Sequence, residues 1–459
     1  MLIEFYHFEN NPDTMDIVII GNGVSGVTAA RFARKLSDHR ITLISSETKY
    51  FFSRTALMYI YMGHMRVEDT MPYEPWFWEK NRIDLIEAHV DKIDFKEQSL
   101  TLNNNTSLKY DKLVLALGSA SNKFGWPGQN LNRVGGLYHM QDLEMMEKYS
   151  ENLERAVIVG GGLIGIEMAE MFHTRHIPVT ILVREKSYWN NVLPAEESAM
   201  INRHILKNGF DLRLESELDS IIDDGAGNAC AVKTKSGEEI KCGYVGLTAG
   251  VHPNVKWLKE TELEVNKGIV VNNHLETNIK NVYAIGDCAE LRNPVEGRRG
   301  IEAVWYTGRM MGETVAYNIC GKPVAYDPGI WFNSAKFIHI EYQVYGDVLA
   351  NPPEHHESFY WEHADGDKAV RIVFDKNTDV VLGFNLMGIR FRHEVCEKWI
   401  KNKTPIDKVM EDLRLANFDP EFYTKYEGEL VSAYNRAYQR NISLQAQGTW
   451  DRVFSFLKP

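Results

Sequence analysis

The fold is decided by the stretch DIVIIGNGVSG at residues 16–26. Its first five residues predict a buried parallel strand, which runs straight into a Gly-x-Gly-x-x-Gly turn and a helix over residues 27–36. The three glycines permit, in order, the tight turn, the approach of backbone to a pyrophosphate, and close packing of the helix. The start of the helix adds N–H groups and positive dipole, which favour phosphate. The predicted phosphate-binding residues are Gly21, Gly23, Val24, Ser25 and Gly26.

A carboxylate follows at the end of the next predicted strand. That strand covers residues 40–44 and ends near Glu47, about where such units place an acid that accepts hydrogen bonds from an adenosine ribose. The order of strand, turn, helix and acid favours a dinucleotide site over a glycine turn that serves packing alone.

The same pattern returns in AVIVGGGLIG at residues 156–165, ahead of a helix that runs through Glu167 to Phe172. Two such units in one chain predict two dinucleotide sites and a sheet of parallel strands in each. The predicted binding residues of the second unit are Gly160, Gly162, Leu163, Ile164 and Gly165.

The strand after the second turn, residues 179–183, ends in Arg184-Glu185 and not directly in an acid. An arginine at that edge pairs with a 2′-phosphate, whereas Glu185 suits a free ribose hydroxyl. NADH and NADPH both remain open as the second nucleotide, with a mild preference for NADPH because of Arg184.

Size and charge limit the class of protein. A chain of 459 residues suits two or three domains. The net charge of −12 with no dense Lys/Arg stripe argues against a nucleic-acid partner. No apolar run approaches the roughly 20 residues of a membrane helix, and no basic leader precedes the first strand. We therefore expect a cytoplasmic protein without a membrane span.

Metal binding and structural disulfides are not expected. The five cysteines are scattered, with no Cys-x-x-Cys pair and no zinc-like spacing. The one His-rich patch comprises His355, His356, Glu357 and His363, and its polar surroundings favour a solvated loop over a metal site.

Three further segments, KLVLALGS at 112–119, TAGVHPN at 248–254 and NVYAIGDCA at 281–289, complete a known order of motifs. With the two glycine turns, they resemble the FAD/NAD(P)-dependent pyridine nucleotide–disulfide oxidoreductase superfamily. The resemblance implies that the first turn binds FAD, that an inserted second one binds NAD(P)H, and that Asp287 hydrogen-bonds the ribityl chain of the flavin. It adds to the predicted cofactor-binding residues Ala116, Gly118, Gly250, Gly286 and Asp287.

The segment FSRTAL at 52–57 is similar to one in the rubredoxin, ferredoxin and nitrite reductase branch of the superfamily. This likeness implies that Arg54 lies over the FAD pyrophosphate, where its fork matches phosphate oxygens. Residues 1–150 contain no cysteine, so the redox cysteines of the disulfide reductases are lacking. Tyr59 stands where a lysine beside the flavin is common, and Glu167, whose counterpart helps to position nicotinamide, loses that partner. Tyr59 and Glu167 are the candidate catalytic residues.

A helix is predicted to start near Ile301 and to run through Ala316, with Glu302 and Ala303 in its first turn. Its N-terminal N–H groups would then face the negative charge that develops on a reduced flavin. Trp305 either flanks the nicotinamide or belongs to the core of an amphipathic helix.

The predicted fold class is α/β, with two Rossmann-like dinucleotide-binding domains, of which the FAD domain is discontinuous, and an α+β C-terminal domain. Alternating apolar residues at 335–342 and 369–374 predict antiparallel strands in the last domain. The resemblance implies that this domain serves homodimerisation or shapes acceptor access, but the stretch offers no nucleophile or metal constellation of its own, which favours a purely structural role. The predicted segments are FAD domain 1–122 and 251–326, NAD(P) domain 123–250, and C-terminal domain 327–459.

The resulting hypothesis is an FAD-dependent enzyme that transfers hydride from NAD(P)H to FAD and passes electrons to an unidentified acceptor, a small iron–sulfur or rubredoxin-like protein. One alternative is a quinone reductase held at a membrane surface by the partly apolar tail at 450–457. The other is a flavin-binding redox sensor without appreciable turnover.

Overall fold

A computed structural model describes residues 14–419 and 424–445 of the chain. The segment ahead of the first strand, residues 1–13, and the tail at 450–457 lie outside the described residues. The sequence-based expectations for those two segments therefore stay predictions.

The described residues divide into two compact units, each built from separate stretches of chain. Unit 1 takes the residues up to Gly125 together with Arg133–Leu153 and Leu247–Pro328. Unit 2 takes Trp126–Asn132, Glu154–Gly246 and the residues from Gly329 onward. The sequence analysis divides the chain into three domains instead of two units, and those domain boundaries stay a prediction.

The strands and helices are numbered in chain order. The strands are β1 (Asp16–Ile20), β2 (Arg40–Ser45), β3 (Ile83–Glu87), β4 (Val90–Asp94), β5 (Ser99–Leu102), β6 (Ser107–Lys109), β7 (Lys112–Leu115), β8 (Ser119–Ser121), β9 (Val134–Gly135), β10 (Ala156–Val159), β11 (Val179–Leu182), β12 (Asp211–Arg213), β13 (Leu218–Asp223), β14 (Ala229–Thr234), β15 (Glu239–Lys241), β16 (Tyr244–Leu247), β17 (Val251–Pro253), β18 (Ile269–Val271), β19 (Val282–Ala284), β20 (Ala289–Leu291), β21 (Phe332–Phe337), β22 (Ile340–Gly346), β23 (His356–Glu362), β24 (Ala369–Asp375) and β25 (Val381–Met387). The helices are α1 (Val24–Leu36), α2 (Leu57–Tyr61), α3 (Pro75–Lys80), α4 (Met140–Ser150), α5 (Leu163–Thr174), α6 (Ala195–Lys207), α7 (Trp305–Ile319), α8 (His393–Lys401), α9 (Ile406–Glu411) and α10 (Glu427–Tyr438).

Unit 1 is organised around a parallel sheet of order β19-β7-β1-β2-β3. Its central strand β1 is almost fully buried, which explains why the sequence there is a continuous apolar run instead of an alternating one. Helix α1 follows β1, and helix α7 packs so closely on it that a Cβ at Gly312 would lie 2.5 Å from the Ser25 carbonyl oxygen. This arrangement brings the ends of β1, β7 and β19, with the turns that follow them, to one edge of the sheet.

Unit 2 contains a second parallel sheet, in which β10 pairs with β11 and β11 with β12. The strand β16 lies next to β10 in the same sheet. All residues of β10, β11 and β16 that belong to this unit are buried, and α5 follows β10. The second glycine turn therefore has the same strand and helix on its two sides as the first.

The last part of unit 2 is an antiparallel sheet of order β21-β22-β25-β24-β23, with α8, α9 and α10 packed on it. The prediction of antiparallel strands here is confirmed, although the segment 335–342 contains the turn between β21 and β22, and the α/β fold class with parallel sheets is confirmed as well. One buried ion pair joins this sheet to the nucleotide-binding part of the unit: Arg371 Nε on β24 donates to Glu197 Oε1 on α6 at 2.7 Å. Both residues are at most 7% exposed.

Two local expectations are wrong. The helix expected near Ile301 begins instead at Trp305, and the residues before it are extended, with Val304 at φ −135°. The His-rich patch is not a loop throughout, because β23 begins at His356.

Candidate functional site

The first glycine turn uses its three glycines in three different ways. A Cβ at Gly21, where φ is +108°, would lie 2.1 Å from the Ala116 carbonyl oxygen, and one at Gly26 would lie 1.9 Å from that of Gly21. A Cβ at Gly23 would meet no atom of the described residues within 4 Å. The outer glycines therefore serve close packing, whereas the middle one leaves space in front of the backbone.

Helix α1 starts at this space with Gly23 as its N-cap, and no side chain of the described part of the chain caps it. An uncapped N-terminus presents N–H groups that need an acceptor, together with the positive end of the helix dipole. The predicted residues Val24 and Ser25 occupy the first turn. The turn thus fits a pyrophosphate both sterically and electrostatically.

Glu47 lies in a dense set of hydrogen-bond donors. Arg54 reaches both of its carboxylate oxygens, at 2.9 and 2.6 Å, and the Met140 N–H donates at 2.9 Å. Burial alone raises the pKa of Glu47, but hydrogen bonds from His139 and Arg54 outweigh it and lower that pKa to about 2. The structure therefore brings together two predicted cofactor residues, Glu47 and Arg54, as a partly buried ion pair.

Arg54 also connects this pair to a tyrosine. Its guanidinium donates to the carbonyl oxygen of Tyr138 and lies 4.6 Å from the centre of the Tyr138 ring. Interaction with Glu47 raises the pKa of Arg54 against the opposing effect of its burial.

Asp287 stands at the end of β19, in the short 3₁₀ helix Gly286–Cys288. Its Oδ2 accepts the Tyr138 hydroxyl at 3.1 Å and the Ser119 hydroxyl at 3.2 Å, and the Ser119 N–H donates to the Tyr138 hydroxyl at 2.9 Å. Burial raises the pKa of Asp287 in spite of these bonds. The result is a closed triangle of polar groups around one carboxylate.

Glycines make this triangle possible. Gly118 has φ +65°, and a Cβ there would lie 2.9 Å from the Tyr138 hydroxyl. Gly286 has φ +71°, and its Cβ would lie 2.6 Å from the Ser25 hydroxyl. Both predicted glycines thus stand where backbone approaches a polar side chain of the same unit.

Tyr138, Ser119 and His139 were not predicted. A local signal existed for His139, because Asp142 follows three residues later and its carboxylate accepts both the Tyr138 and His139 N–H groups, as in a capping box. The contact of Tyr138 with Asp287 joins residues 149 positions apart, so it could not be read from local pattern.

The second glycine turn repeats the first in unit 2. A Cβ at Gly162 would meet nothing within 4 Å in the described structure, and Gly162 is the N-cap of α5, again without a described side chain as cap. A Cβ at Gly161 would lie 2.8 Å from a Val183 methyl group. The Tyr188 hydroxyl, which was not predicted, donates to the Gly162 carbonyl at 2.7 Å. This turn also offers space and N–H groups to a phosphate.

Arg184 and Glu185 pair with each other. Arg184 Nη2 lies 2.8 Å from Glu185 Oε1, and the Arg184 side chain is 71% exposed. The two side chains therefore form an ion pair that presents one positive and one negative group. The structure does not favour NADPH over NADH as the second nucleotide.

Glu167 lies on α5, three residues before Glu170. Burial, with the charge of Glu170 as a second cause, raises the pKa of Glu167 to about 7. Glu170 itself is balanced by Lys336, whose Nζ lies 2.8 Å from its carboxylate. The surroundings of Glu167 therefore favour its protonated form relative to an ordinary glutamate.

The other predicted residues of unit 1 are spread over α2, the extended segment before α7, the start of α7 and the entry to β17. Tyr59 is on α2, with its ring stacked near His64. Glu302 is not in a helix but in a buried ion pair with Arg298, at 2.6 Å from each oxygen. Ala303 lies in the extended segment before α7, and Trp305 packs edge-on to Tyr306 at 5.5 Å. Gly250 has φ +88° at the entry to β17.

Neither a metal-binding cluster nor a membrane-spanning helix occurs among the residues that the structure describes. No group of three His, Cys, Asp or Glu side chains among them is arranged to bind a metal ion. No helix in the described ranges is both long and apolar enough to cross a membrane.

Each of the two parallel sheets has a strand that leads into an open glycine turn and then an uncapped helix. These two sites define a protein that binds two dinucleotides. Comparison with known sequences gives the family: the chain belongs to the pyridine nucleotide-disulphide oxidoreductase family, whose pattern it matches over residues 15–312. Members of this family are FAD-dependent and use NADH or NADPH. The observations on Gly23, α1 and Asp287 fit FAD in unit 1.

Several relatives are reductases of small redox proteins. NADH-rubredoxin oxidoreductase of Clostridium acetobutylicum is 26% identical over 402 residues, which cover 86% of this chain and 99% of that protein. The assimilatory nitrate reductase electron transfer subunit of Bacillus subtilis is 27% identical over 371 residues, 80% of this chain, but the chain spans only 47% of that relative's length.

A solved structure supports the fold. The ferredoxin reductase for the CYP199A2 system of Rhodopseudomonas palustris superimposes with a TM-score of 0.75 at 21% identity, covering 91% of this chain and 99% of that one.

Proposed function

We propose that this chain is an FAD-dependent NAD(P)H oxidoreductase that passes electrons to a small iron–sulfur or rubredoxin-like protein. The observation that carries the proposal is the pair of open glycine turns, one in each unit, together with the absence of cysteine from residues 1–150. Without a cysteine there, electrons have no thiol route away from the flavin, which favours an acceptor outside the chain.

In unit 1 the backbone of Gly23 and the first turn of α1 bind the pyrophosphate of FAD, and Arg54 adds charge. Asp287 accepts hydrogen bonds from ribityl hydroxyls, while Tyr138 and Ser119 orient its carboxylate. When bound, FAD supplies the chemistry of accepting a hydride and releasing electrons singly.

In unit 2 the backbone at Gly162 binds the pyrophosphate of the nicotinamide nucleotide, and Arg184 or Glu185 contacts its ribose. The resemblance implies that the counterpart of Glu167 helps to position nicotinamide, and Glu167 in its neutral form would do so by donating a hydrogen bond to the amide group. Its raised pKa keeps a proton available at neutral pH.

The choice of acceptor is supported by the relatives. Besides the Clostridium protein, rubredoxin-NAD(+) reductase of Pseudomonas putida is 27% identical over 323 residues, covering 69% of this chain and 83% of that protein.

The test is anaerobic stopped-flow mixing of the flavin-loaded protein with NADH or NADPH, followed by addition of purified rubredoxin or a [2Fe–2S] ferredoxin. We expect flavin absorbance to bleach within milliseconds to seconds and the added protein to be reduced far faster than by nucleotide alone. The matched variant is Gly162→Ala, whose Cβ would meet no described atom within 4 Å but would narrow the space in front of the backbone, so the protein should retain flavin but bleach slowly.

Two other outcomes would overturn the proposal. Bleaching over minutes, with a stable charge-transfer band and no turnover, would indicate a redox sensor. Fast bleaching with turnover only on quinones in vesicles would indicate a quinone reductase.

A further inference from the structure

Two cysteines that look unrelated in the sequence face each other in unit 2. The strands β14 and β15 form a hairpin in which Ala231 is paired with Lys241. The next pair outward along this register is Cys230 with Cys242, and the Cys242 N–H donates to the Cys230 carbonyl oxygen at 3.0 Å. Directly opposite residues of an antiparallel pair place their side chains on the same face, so the two thiols are neighbours.

The spacing of such a pair is close to that of a disulfide. Opposite residues in an antiparallel ladder have Cα atoms about 5.5 Å apart where they are hydrogen-bonded and Cβ atoms about 4.5–5.5 Å apart. A disulfide needs Cα atoms about 4.4–6.8 Å apart and Cβ atoms about 3.5–4.5 Å apart. Because this pair is hydrogen-bonded, its Cβ atoms stand at the wide end of that range, and a bond between the residues requires them to close by about 1 Å or more without a change of register.

The two thiols differ in how far they are exposed to solvent, so we expect them to react with an oxidant in a fixed order. Cys230 is half-buried, whereas Cys242 is 6% exposed. Burial first, and the neighbouring Cys230 second, raise the pKa of Cys242 to about 12. Cys230 is therefore the thiol that an oxidant in solvent meets first, and Cys242 is the one that resolves the product.

We propose that Cys230 and Cys242 form a dithiol site that hydrogen peroxide converts reversibly to a cross-strand disulfide. The Cys230 thiolate attacks peroxide, so that an S–O bond forms, the O–O bond breaks and hydroxide leaves as water with a proton. The Cys242 sulfur then attacks the Cys230 sulfenic acid, an S–S bond forms, the S–O bond breaks and a second water leaves. The two thiols lose two electrons and two protons in total, and peroxide is reduced to two waters.

The other cysteines do not share this arrangement. Cys288 and Cys320 are in unit 1, where their sulfurs lie near the carbonyl oxygens of Leu115 and Ala33 respectively. Cys396 is buried in α8. All five are free thiols in the described structure.

The site lies away from the second glycine turn. The N–H of Gly243, next to Cys242, donates to the Arg155 carbonyl oxygen at 3.0 Å, just ahead of β10. Gly160 follows the other end of β10, and a strand of this length spans roughly 13 Å. The disulfide should therefore clip the hairpin without blocking nucleotide binding.

The experiment treats the full-length protein with hydrogen peroxide, counts free thiols in denaturant and maps peptides without reduction. We expect two of the five thiols to disappear, a single linked peptide pair joining Cys230 to Cys242 with the loss of two hydrogen atoms, and full recovery with dithiothreitol. Amide exchange in β14 and β15 should slow at least several-fold in the oxidised form and return on reduction. KM for NAD(P)H should change less than two-fold.

The controls are Cys230→Ser, which exchanges the half-buried thiol, and Cys320→Ser, which changes a half-buried thiol in unit 1. The first should lose the linked peptide and the second should keep it. Sulfinic acid at Cys230 without any link, or a link of Cys230 to another cysteine or another copy of the chain, would overturn the proposal. Thiol counts and peptide masses do not depend on turnover, so this result is separate from the proposed function.

Discussion

The two glycine turns share one backbone design but differ in what surrounds them. At the first turn the neighbouring acid, Glu47, is half-buried and hydrogen-bonded by Arg54, Met140 and His139, whose contacts bring its pKa down to about 2. At the second, the acid Glu185 contacts an arginine that is 71% exposed. Buried, hydrogen-bonded groups form fixed contacts, whereas exposed ones are screened and exchange readily. The difference suits a cofactor that stays at the first turn and a substrate that comes and goes at the second.

The largest expected effect tests whether the outer and middle glycines of the first turn differ. Gly21→Ala combines a strained φ of +108° with a contact of 2.1 Å to the Ala116 carbonyl. It should lower the free energy of unfolding by about 2–5 kcal/mol, measured by urea denaturation of the purified chain. Gly23→Ala, which meets open space, should unfold like the wild type and yet bind FAD more weakly. Equal stability of the two variants would contradict the assignment of packing to the outer glycine.

The next effect tests the fixed contacts of the first site. Asp287→Ala should weaken FAD binding by about 1–3 kcal/mol, because it removes the acceptor proposed for the ribityl hydroxyls and leaves the Tyr138 and Ser119 hydroxyls without their described acceptor. Flavin fluorescence during titration of the apoprotein gives the Kd. Tyr138→Phe should cost about 1 kcal/mol, since it removes one donor and keeps the ring that contacts Arg54. A Kd for Tyr138→Phe equal to that of the wild type would show that orientation of Asp287 does not matter.

At the second site, Glu167 should make flavin reduction depend on pH. Its pKa of about 7 means that the neutral donor is present below pH 7 and is lost as pH rises through 7. The rate of flavin bleaching by NAD(P)H should therefore fall about 2–10-fold from pH 6 to pH 8, the worth of one hydrogen bond. Glu167→Gln keeps a donor at every pH and should flatten the profile. A profile that is unchanged in Glu167→Gln would assign the titration to another group.

The smallest effect concerns the exposed pair at the second site. Arg184→Ala should lower kcat/KM for NADPH by about 2–5-fold and leave that for NADH unchanged, because an exposed, already paired arginine contributes about 0.5–1 kcal/mol. Glu185→Gln is the matched variant and should move the preference toward NADPH. An equal loss with both nucleotides after Arg184→Ala would remove this residue from nucleotide selection.

Much of the fold was predictable because it follows from local pattern. Both glycine turns, the strands ahead of them and Glu47 are read from residue types at fixed spacing. The start of α7 was not predictable in this way. Arg298 and Glu302 stand four residues apart, which in sequence resembles a helical pair, yet they bind each other outside a helix, in the segment that precedes Trp305.

The polar groups around Asp287 and Glu47 could not be predicted from the sequence for a different reason. Tyr138, two residues before α4, contacts Asp287 after β19 and Arg54 ahead of α2, and no local spacing in the sequence encodes these contacts. The pairing of Cys230 with Cys242 likewise depends on the register of the β14–β15 hairpin. A register that differed by one residue would change every cross-strand contact.

The buried pair of Arg371 with Glu197 has a consequence for how the gene tolerates recombination. One partner is contributed by the C-terminal sheet and the other by helix α6, and loss of either leaves a buried charge that costs about 3–5 kcal/mol. A genetic crossover that exchanges the C-terminal region between homologues should be tolerated only when the exchanged region and the rest of the chain still supply both members of this ion pair. We therefore expect a chimera that exchanges the chain from Gly329 onward to fold stably only when it keeps both Arg371 and Glu197 or replaces both together.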